Sequence, residues 1–199
     1  MNIKNTWLHL RKVQTHRKWV RHYCFKLGIP WQGITHDLSK YSPVEFWESV
    51  KYYQGDSSPI DACKKANGYS MAWFHHRGRN KHHYEYWVDN FDNGMTTNLM
   101  PKKYFLELLA DYLGAARAYM GDKFTYKGEY EWWQAKRTKV KMDPKQIEML
   151  DHIFKELADM EDPKWREEHL TSVTADDWFG TKDFRKRVND IYDYIKRRK

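Results

Sequence analysis

The chain has 199 residues and 24.3 kDa, with 41% hydrophobic and 17% aromatic residues, which excludes a disordered chain and suits one compact domain. No apolar run approaches the roughly 20 residues of a membrane-spanning helix, and no signal-like apolar stretch opens the chain, so we expect a cytoplasmic protein without a membrane partner. The formal charge of +8 favours an anionic partner, nucleotide or nucleic acid, and two isolated cysteines, Cys24 and Cys63, exclude a disulfide framework.

The first predicted element is an amphipathic helix over residues 5–27, ended by Gly28. At 100° per residue, His16 falls on the apolar side of this helix together with Val20. His22 lies about 120° away from His16 and is expected to face water. Of these two histidines, the helical phase therefore selects His16 as the one that points inward.

The next predicted elements are short. A segment over residues 31–38 ends in His36-Asp37, and Ser42 then opens a third helix with the composition of a capping box. Another helix begins at Ser58 and runs towards Trp73, with an interruption at Gly68.

The second half of the chain contains the clearest helical patterns. A loop is predicted over residues 90–98, followed by a helix over 101–119 and by an aromatic, charged stretch over 122–142 that is interpreted as a loop or lid. Helices are predicted again over 143–160 and 181–198. Without repeats or linkers, the pattern predicts a single all-α domain, residues 1–199, of about seven or eight helices.

Candidate metal ligands are distributed among these elements. Neutral imidazole and carboxylate are ligands for divalent metals, and separated segments can bring them to one ion or two. The central pair is His36-Asp37, at the end of an apolar segment. The candidates around it are His16, His75, His76, His82, His83 and Asp111.

Two choices among these candidates stay open. If the histidine cluster were helical, His76, Asn80 and His83 would share one face, but the face of His75 and His82 is equally available.

The distal carboxylate is the second open choice. Asp111 lies at the edge of the apolar face of its helix, and Glu107, one turn earlier, is a rival ligand or a supporting partner.

The ordered set of a histidine, a later His-Asp pair and a distal aspartate resembles the signature of the HD-domain superfamily of metal-dependent phosphohydrolases. The matching positions are His16, His36, Asp37 and Asp111. The motif HDLSK also places Lys40 three residues after the aspartate, as in superfamily members that read HDIGK. The chain is similar, too, to an uncharacterised HD-like family of bacteria and phages that joins HDLSK to an N-x-H-H element, and the resemblance covers roughly residues 10–120.

The resemblance implies an HD-like bundle with a core at about 5–120 and a helical extension at about 140–199. It implies a phosphohydrolase or phosphodiesterase acting on a nucleotide or another phosphate ester, with one or two divalent ions (Mn, Fe, Co, Ni, Zn or Mg). The implied metal ligands are His16, His36, Asp37, His76, His82, His83 and Asp111. Asp37 and Lys40 are the implied catalytic residues, and the expected contacts to a phosphorylated substrate come from Lys40, Arg77, Arg79 and Asn80.

Two other functions compete with this interpretation. Some HD-fold proteins with a similar ligand set are di-iron oxygenases, which would consume oxygen and release no phosphate. A non-catalytic, basic nucleic-acid-binding protein would use the histidines structurally, and its binding would depend steeply on salt and survive chelation. The pattern leaves the identity of the metal, the substrate and the oligomeric state open.

Overall fold

The computed structural model describes residues 3–55, 57–92, 94–169 and 171–198, so positions 1, 2, 56, 93, 170 and 199 of the predicted domain lie outside the described residues. The helices are α1 (Ile3–Lys26), α2 (Pro30–Thr35), α3 (Pro43–Lys51), α4 (Pro59–Asn67), α5 (Met71–Arg77), α6 (Lys102–Met120), α7 (Tyr126–Lys136), α8 (Pro144–Asp159), α9 (Pro163–Glu168), α10 (Ala175–Trp178) and α11 (Lys182–Arg197). Single 3₁₀ turns cover Leu38–Tyr41, Tyr84–Trp87 and Gly121–Lys123. The all-α prediction is confirmed.

The described residues contain eleven α-helices, more than the seven or eight predicted. Three of them, α2, α9 and α10, have six residues or fewer and are too short to show a helical period. The interruption predicted at Gly68 is real, since this residue ends α4 at a φ of 81°.

Two loop predictions were wrong. The segment predicted as a loop over residues 90–98 contributes to an antiparallel hairpin of β1 (Val88–Phe91) and β2 (Gly94–Thr97), with Val88 opposite Thr97. Strands of four residues are too short for an alternating apolar pattern to be recognised. The stretch over 122–142 is not a loop, because it contains α7, whose Trp133 is completely buried.

The core joins the long helices into one cluster. Buried apolar residues of α1, α6, α8 and α11 pack together, for example Val20, Leu109, Leu150 and Ile191. The C-terminal helices therefore share their core with the helices that carry the predicted site. Both cysteines are buried. Within the described chain, no helix combines the length and apolar composition needed to cross a membrane.

The close approach of α1 and α6 positions two of the predicted ligands. A Cβ on Gly114 would lie 2.5 Å from Cγ2 of Val20 and 2.9 Å from its backbone nitrogen, so the crossing tolerates only glycine. His16 lies one turn before Val20, and Asp111 lies about one turn before Gly114. This contact therefore fixes the separation of His16 and Asp111.

Replacing Gly114 with alanine is expected to destabilise the protein by about 1–3 kcal/mol, because the added methyl group must separate α1 from α6. Alanine has a higher helix propensity than glycine, so without the close approach of the two helices the same substitution would stabilise the protein. Urea denaturation measures it, with Ala135→Ser at an exposed position of α7 as the control, expected within about 0.5 kcal/mol of wild type. A Gly114→Ala protein as stable as wild type would contradict the close approach.

Candidate metal centre

A backbone kink at Asp37 brings two adjacent side chains to one point. Asp37 has φ 54° and ψ 28° and is the only non-glycine residue with positive φ in the described part of the chain. Aspartate tolerates this left-handed conformation better than most residues do. The kink is braced by Arg17 of α1, whose Nε donates to the carbonyl of His36 at 2.8 Å and whose Nη2 donates to that of Ile34 at 2.9 Å. As a result, Nε2 of His36 lies 3.3 Å from Oδ2 of Asp37.

The first cluster of potential ligands joins α1, the kink and α6. Nε2 of His16 lies 3.2 Å from Nε2 of His36, 3.3 Å from Oδ2 of Asp37 and 3.2 Å from Oδ1 of Asp111. The distance from His36 Nε2 to Asp111 Oδ1 is 3.4 Å. Ligand atoms about 2.1 Å from a shared metal are about 3.0–3.4 Å apart in octahedral or tetrahedral geometry. The four atoms are therefore spaced as ligands of one ion.

The second cluster uses the other oxygen of the same carboxylate. Oδ1 of Asp37 lies 3.3 Å from Nε2 of His76 and 3.5 Å from Nε2 of His82. His83 completes a set of four whose ligand atoms lie within 4.8 Å of one another. Asp37 therefore stands between the two clusters, with one oxygen directed to each.

Unpartnered atoms mark the second cluster as a place for a cation. Oδ1 of Asp37 and Nε2 of His82 and His83 are buried without a hydrogen-bond partner. Buried polar atoms nearly always have partners, and three such atoms in one cluster are exceptional. A bound divalent ion satisfies all three at once, so the residues present fit a metal.

Glu107 orients one histidine of each cluster. Its Oε1 accepts a hydrogen bond from Nδ1 of His36 at 3.0 Å and from Nδ1 of His82 at 3.1 Å. A proton on Nδ1 leaves Nε2 of each ring free to bind an ion. Glu107 is thus placed as the supporting carboxylate, and Asp111 is the distal carboxylate that meets the first cluster.

Glu45 performs the same task for the histidines of α5. Its Oε2 pairs with Nδ1 of His76 at 2.7 Å and its Oε1 with Nδ1 of His75 at 2.6 Å. His76 turns its Nε2 to the centre, whereas within the described residues His75 contacts the centre only through Glu45. The structure therefore places His76, not His75, among the potential ligands.

The histidine cluster is not one continuous helix, because α5 ends at Arg77, so the choice between two helical faces that the sequence left open does not arise. His82 and His83 reach the centre from the loop that follows. The side chain of Asn80 holds this loop, since its Nδ2 donates to Ser39 Oγ and to the carbonyl of His76, both at 2.8 Å. Asn80 therefore supports His76 in this structure.

Of the three cationic side chains predicted to contact substrate, Lys40 lies at the centre, whereas Arg77 and Arg79 lie away from it. Nζ of Lys40 is 2.6 Å from Oδ2 of Asp37, with 27% of its side chain exposed. The guanidinium of Arg77 lies 5.2 Å from the ring centroid of Phe74, and Arg79 is exposed. In the described structure neither arginine side chain makes a polar contact with the two clusters, so only Lys40 is brought to the centre.

Charge at the centre shifts the pKa of its members strongly. Burial alone would raise the pKa of Asp37, but the charges of His36 and Lys40 hold it well below its usual value. Burial alone would lower the pKa of His36, but the charge of Asp37 and hydrogen bonds to Asp111 raise it well above 6.5. Protons on the imidazoles therefore compete with a cation, and the affinity of the centre for metal should rise with pH.

Sequence reasoning missed Glu45 and Arg17 as parts of the site. Glu45 has the sequence signature of a capping box, and its backbone nitrogen does donate to Oγ of Ser42 at 3.5 Å. The glutamate side chain instead turns to the two histidines of α5, which are 30 and 31 residues further along the chain. A local sequence pattern cannot predict this contact, because the contact depends on the packing of α3 against α5.

A cavity of about 740 Å³ adjoins the centre, and its wall includes Asp111 and His83. It lies between α4, α6, α7 and the loop after α5, and several aromatic side chains line it. Glu129 of α7 also lines it, and burial raises the pKa of this carboxyl to about 8 in spite of the charge of Lys136. The centre therefore opens into a space of small-molecule size.

Comparison of the sequence with known protein families gives one match. The model of a family described as "Family of unknown function (DUF5662)" matches residues 5–156. The match spans both clusters, Glu107 and the α7 wall of the cavity. No curated protein and no solved structure matches the chain.

Replacing Glu107 with alanine should lower the affinity for Mn²⁺ about 10- to 100-fold, because two imidazoles lose the hydrogen bonds that fix their orientation. Chelator-competition titration measures this affinity. The control is Glu131→Ala, which removes a carboxylate from an exposed position of α7. Unchanged affinity in a folded Glu107→Ala protein would refute the supporting role.

Replacing Glu129 with glutamine should remove a pH-dependent loss of stability. The folded carboxyl keeps its proton up to about pH 8, whereas the unfolded one loses it near 4.5, so wild-type stability should fall as pH rises from about 4.5 to 8. Thermal unfolding across this range measures the effect, and at pH 8 the variant should be more stable than wild type by on the order of 1–3 kcal/mol. If the stability of wild type and of Glu129→Gln changed with pH in the same way, the raised pKa of Glu129 would be contradicted.

Proposed function

This chain belongs to the DUF5662 family, and we propose that it is an HD-type, metal-dependent phosphohydrolase that acts on a nucleotide or another phosphate ester in the cytoplasm. The observation that carries the proposal is the position of Asp37 between two ligand clusters. Two neighbouring divalent ions that share a carboxylate are a recurring arrangement in enzymes of phosphate ester hydrolysis.

The donors favour particular metals. One ion would be held by His16, His36, Asp37 and Asp111, and the other by Asp37, His76, His82 and His83. Donors rich in imidazole suit Mn, Fe, Co, Ni and Zn better than Mg, which prefers oxygen. When bound, such ions supply Lewis-acid polarisation of the phosphoryl group and an acidified water.

Lys40 is the residue of the chain that we assign to the phosphate. Its ammonium touches the shared carboxylate and is still partly exposed, so an anionic oxygen arriving at Asp37 meets this charge directly. A fixed cation beside a phosphoryl group stabilises the negative charge that develops as the ester bond breaks. Lys40 is also held in place by its ion pair, which reduces the cost of ordering its side chain.

The side chains of the centre are shielded from bulk water. His36, Asp37 and His82 are each only 1% exposed. In such a site, hydrogen bonds and charges act through a lower effective dielectric than in water, and each is correspondingly stronger. Glu107 and Glu45 maintain the imidazoles in one orientation, so no side chain has to reorganise during the reaction.

The proposal predicts release of p-nitrophenol from p-nitrophenyl phosphate or its bis ester, in the presence of Mn²⁺, Fe²⁺, Co²⁺, Ni²⁺ or Zn²⁺. Asp37→Asn should reduce kcat/KM at least about 10³-fold, because both ions lose a shared ligand while asparagine still tolerates the left-handed backbone. Lys40→Met should reduce it about 10- to 100-fold, through the loss of one fixed charge. The matched control, Lys51→Met on the exposed surface of α3, should retain wild-type activity.

Other outcomes would identify the competing functions. Oxygen uptake by an iron-containing protein that releases no phosphate would contradict the proposal and favour a di-iron oxygenase. Salt-dependent binding of nucleic acid that survives both chelation and Asp37→Asn, without hydrolysis, would favour a binding protein.

A further inference from the structure

The cavity beside the centre is longer than a phosphate requires. Its α6 wall runs from Asp111 to Met120, which corresponds to about 13 Å of helix axis at 1.5 Å per residue. A phosphate near Asp111 occupies only the beginning of this length. The remainder is available to the organic part of a substrate.

That remainder is walled by aromatic rings, namely Trp73, Tyr84, Tyr112, Tyr119, Phe124 and Trp132. The rings of Tyr112 and Trp132 have their centroids 5.4 Å apart and their planes inclined by 69°, so they form an open corner and not a closed stack. Trp132 is 42% exposed although it lines the cavity. A planar ring can therefore stack on its face.

Polar groups without partners interrupt this aromatic wall. The hydroxyl of Tyr112 and Oε2 of Glu85 are buried and lack hydrogen-bond partners. The carboxyl of Glu129 is on a residue only 7% exposed, and no hydrogen bond or ion pair to it occurs among the described residues. An acyl chain would leave all these groups unpaired, at considerable cost. The wall instead suits a planar ligand that carries its own donors and acceptors.

Glu129 adds a specific pattern to this wall. With its pKa raised to about 8 by burial, the carboxyl is protonated at neutral pH and offers one donor beside one acceptor. The ammonium of Lys136 lies over the rings of Trp132 and Tyr112, at 4.5 and 5.0 Å from their centroids, and forms no ion pair with Glu129 in the described structure. Nucleobase edges present adjacent donors and acceptors that complement such a group.

We propose that this cavity binds the heterocyclic base of a nucleoside phosphate, with Trp132 stacking on the ring and with Glu129 and Tyr112 hydrogen-bonding its edge. The inference rests on the proposed phosphohydrolase function and names its substrate class. Asp111 and His83 belong to both the cavity wall and the ligand clusters, so a base in the cavity directs its phosphate towards the centre.

Isothermal titration tests the inference on EDTA-treated protein, in which hydrolysis does not compete. The probes are AMP, GMP, CMP and UMP, with ribose 5-phosphate as the matched ligand that lacks a base. At least one nucleotide should bind at least about 100-fold more tightly than ribose 5-phosphate, because stacking on one aromatic ring contributes about tenfold and the hydrogen bonds to the base edge contribute further. Equal affinity for all five probes, or no measurable binding of any, overturns the inference.

The variants test the assigned residues. Glu129→Leu and Tyr112→Phe should each reduce the preference for the nucleotide about tenfold, because a polar edge loses its partner. Glu129→Gln retains a donor and an acceptor and should keep the preference within about threefold. Glu131→Leu, at an exposed position of the same helix, is the control. A preference that survives both Glu129→Leu and Tyr112→Phe overturns the assignment.

The hydrolysis assay distinguishes this inference from the proposed function. Cleavage of p-nitrophenyl phosphate by a protein without base preference removes the inference and leaves the phosphohydrolase function standing. Base-dependent binding by a protein that cleaves no phosphate ester removes the phosphohydrolase function and leaves the base-binding cavity standing.

Discussion

The carboxylate of Asp37 is the interaction on which the rest of this structure depends. Its two oxygens face two different groups of histidines, and it does so from a left-handed backbone conformation that few side chains tolerate. A strained residue persists only where its surroundings hold it, and Arg17, Lys40 and the neighbouring imidazoles do so here. The left-handed conformation costs backbone energy, and binding of two cations by one carboxylate would account for why it is kept.

Around this carboxylate, the fold serves to fix imidazole orientation. Glu107 holds His36 and His82, one from each cluster, and Glu45 holds His76. These contacts connect α6 with the kink and α3 with α5, so the positions of the helices and the tautomers of the rings depend on each other. The C-terminal helices contribute indirectly, because they complete the core and supply α7 as the far wall of the cavity.

The sequence was sufficient for the features that repeat over several turns or rest on a motif. The long helices α1, α6, α8 and α11 follow from sustained apolar periodicity, and His16 could be chosen over His22 by helical phase. The hairpin and the shortest helices could not be predicted, because elements of four to six residues carry too few repeats.

The supporting residues of the site were harder to predict, for a different reason. The acidic residues Glu129 and Glu131 look equivalent in the sequence, yet one lines the cavity and the other is exposed. Likewise, the histidines at 75 and 76 are adjacent and both pair with Glu45, yet among the described contacts only His76 reaches Asp37 with its other ring nitrogen. Such distinctions arise from tertiary packing between distant segments, which a local pattern does not encode.

Anomalous X-ray diffraction from crystals of protein reconstituted with Mn²⁺, collected above the metal absorption edge, tests the central claim most directly. The account predicts two anomalous peaks on opposite sides of the Asp37 carboxylate, one beside His16 and Asp111 and the other beside His76 and His82. A single peak, or peaks located elsewhere on the chain, would contradict it.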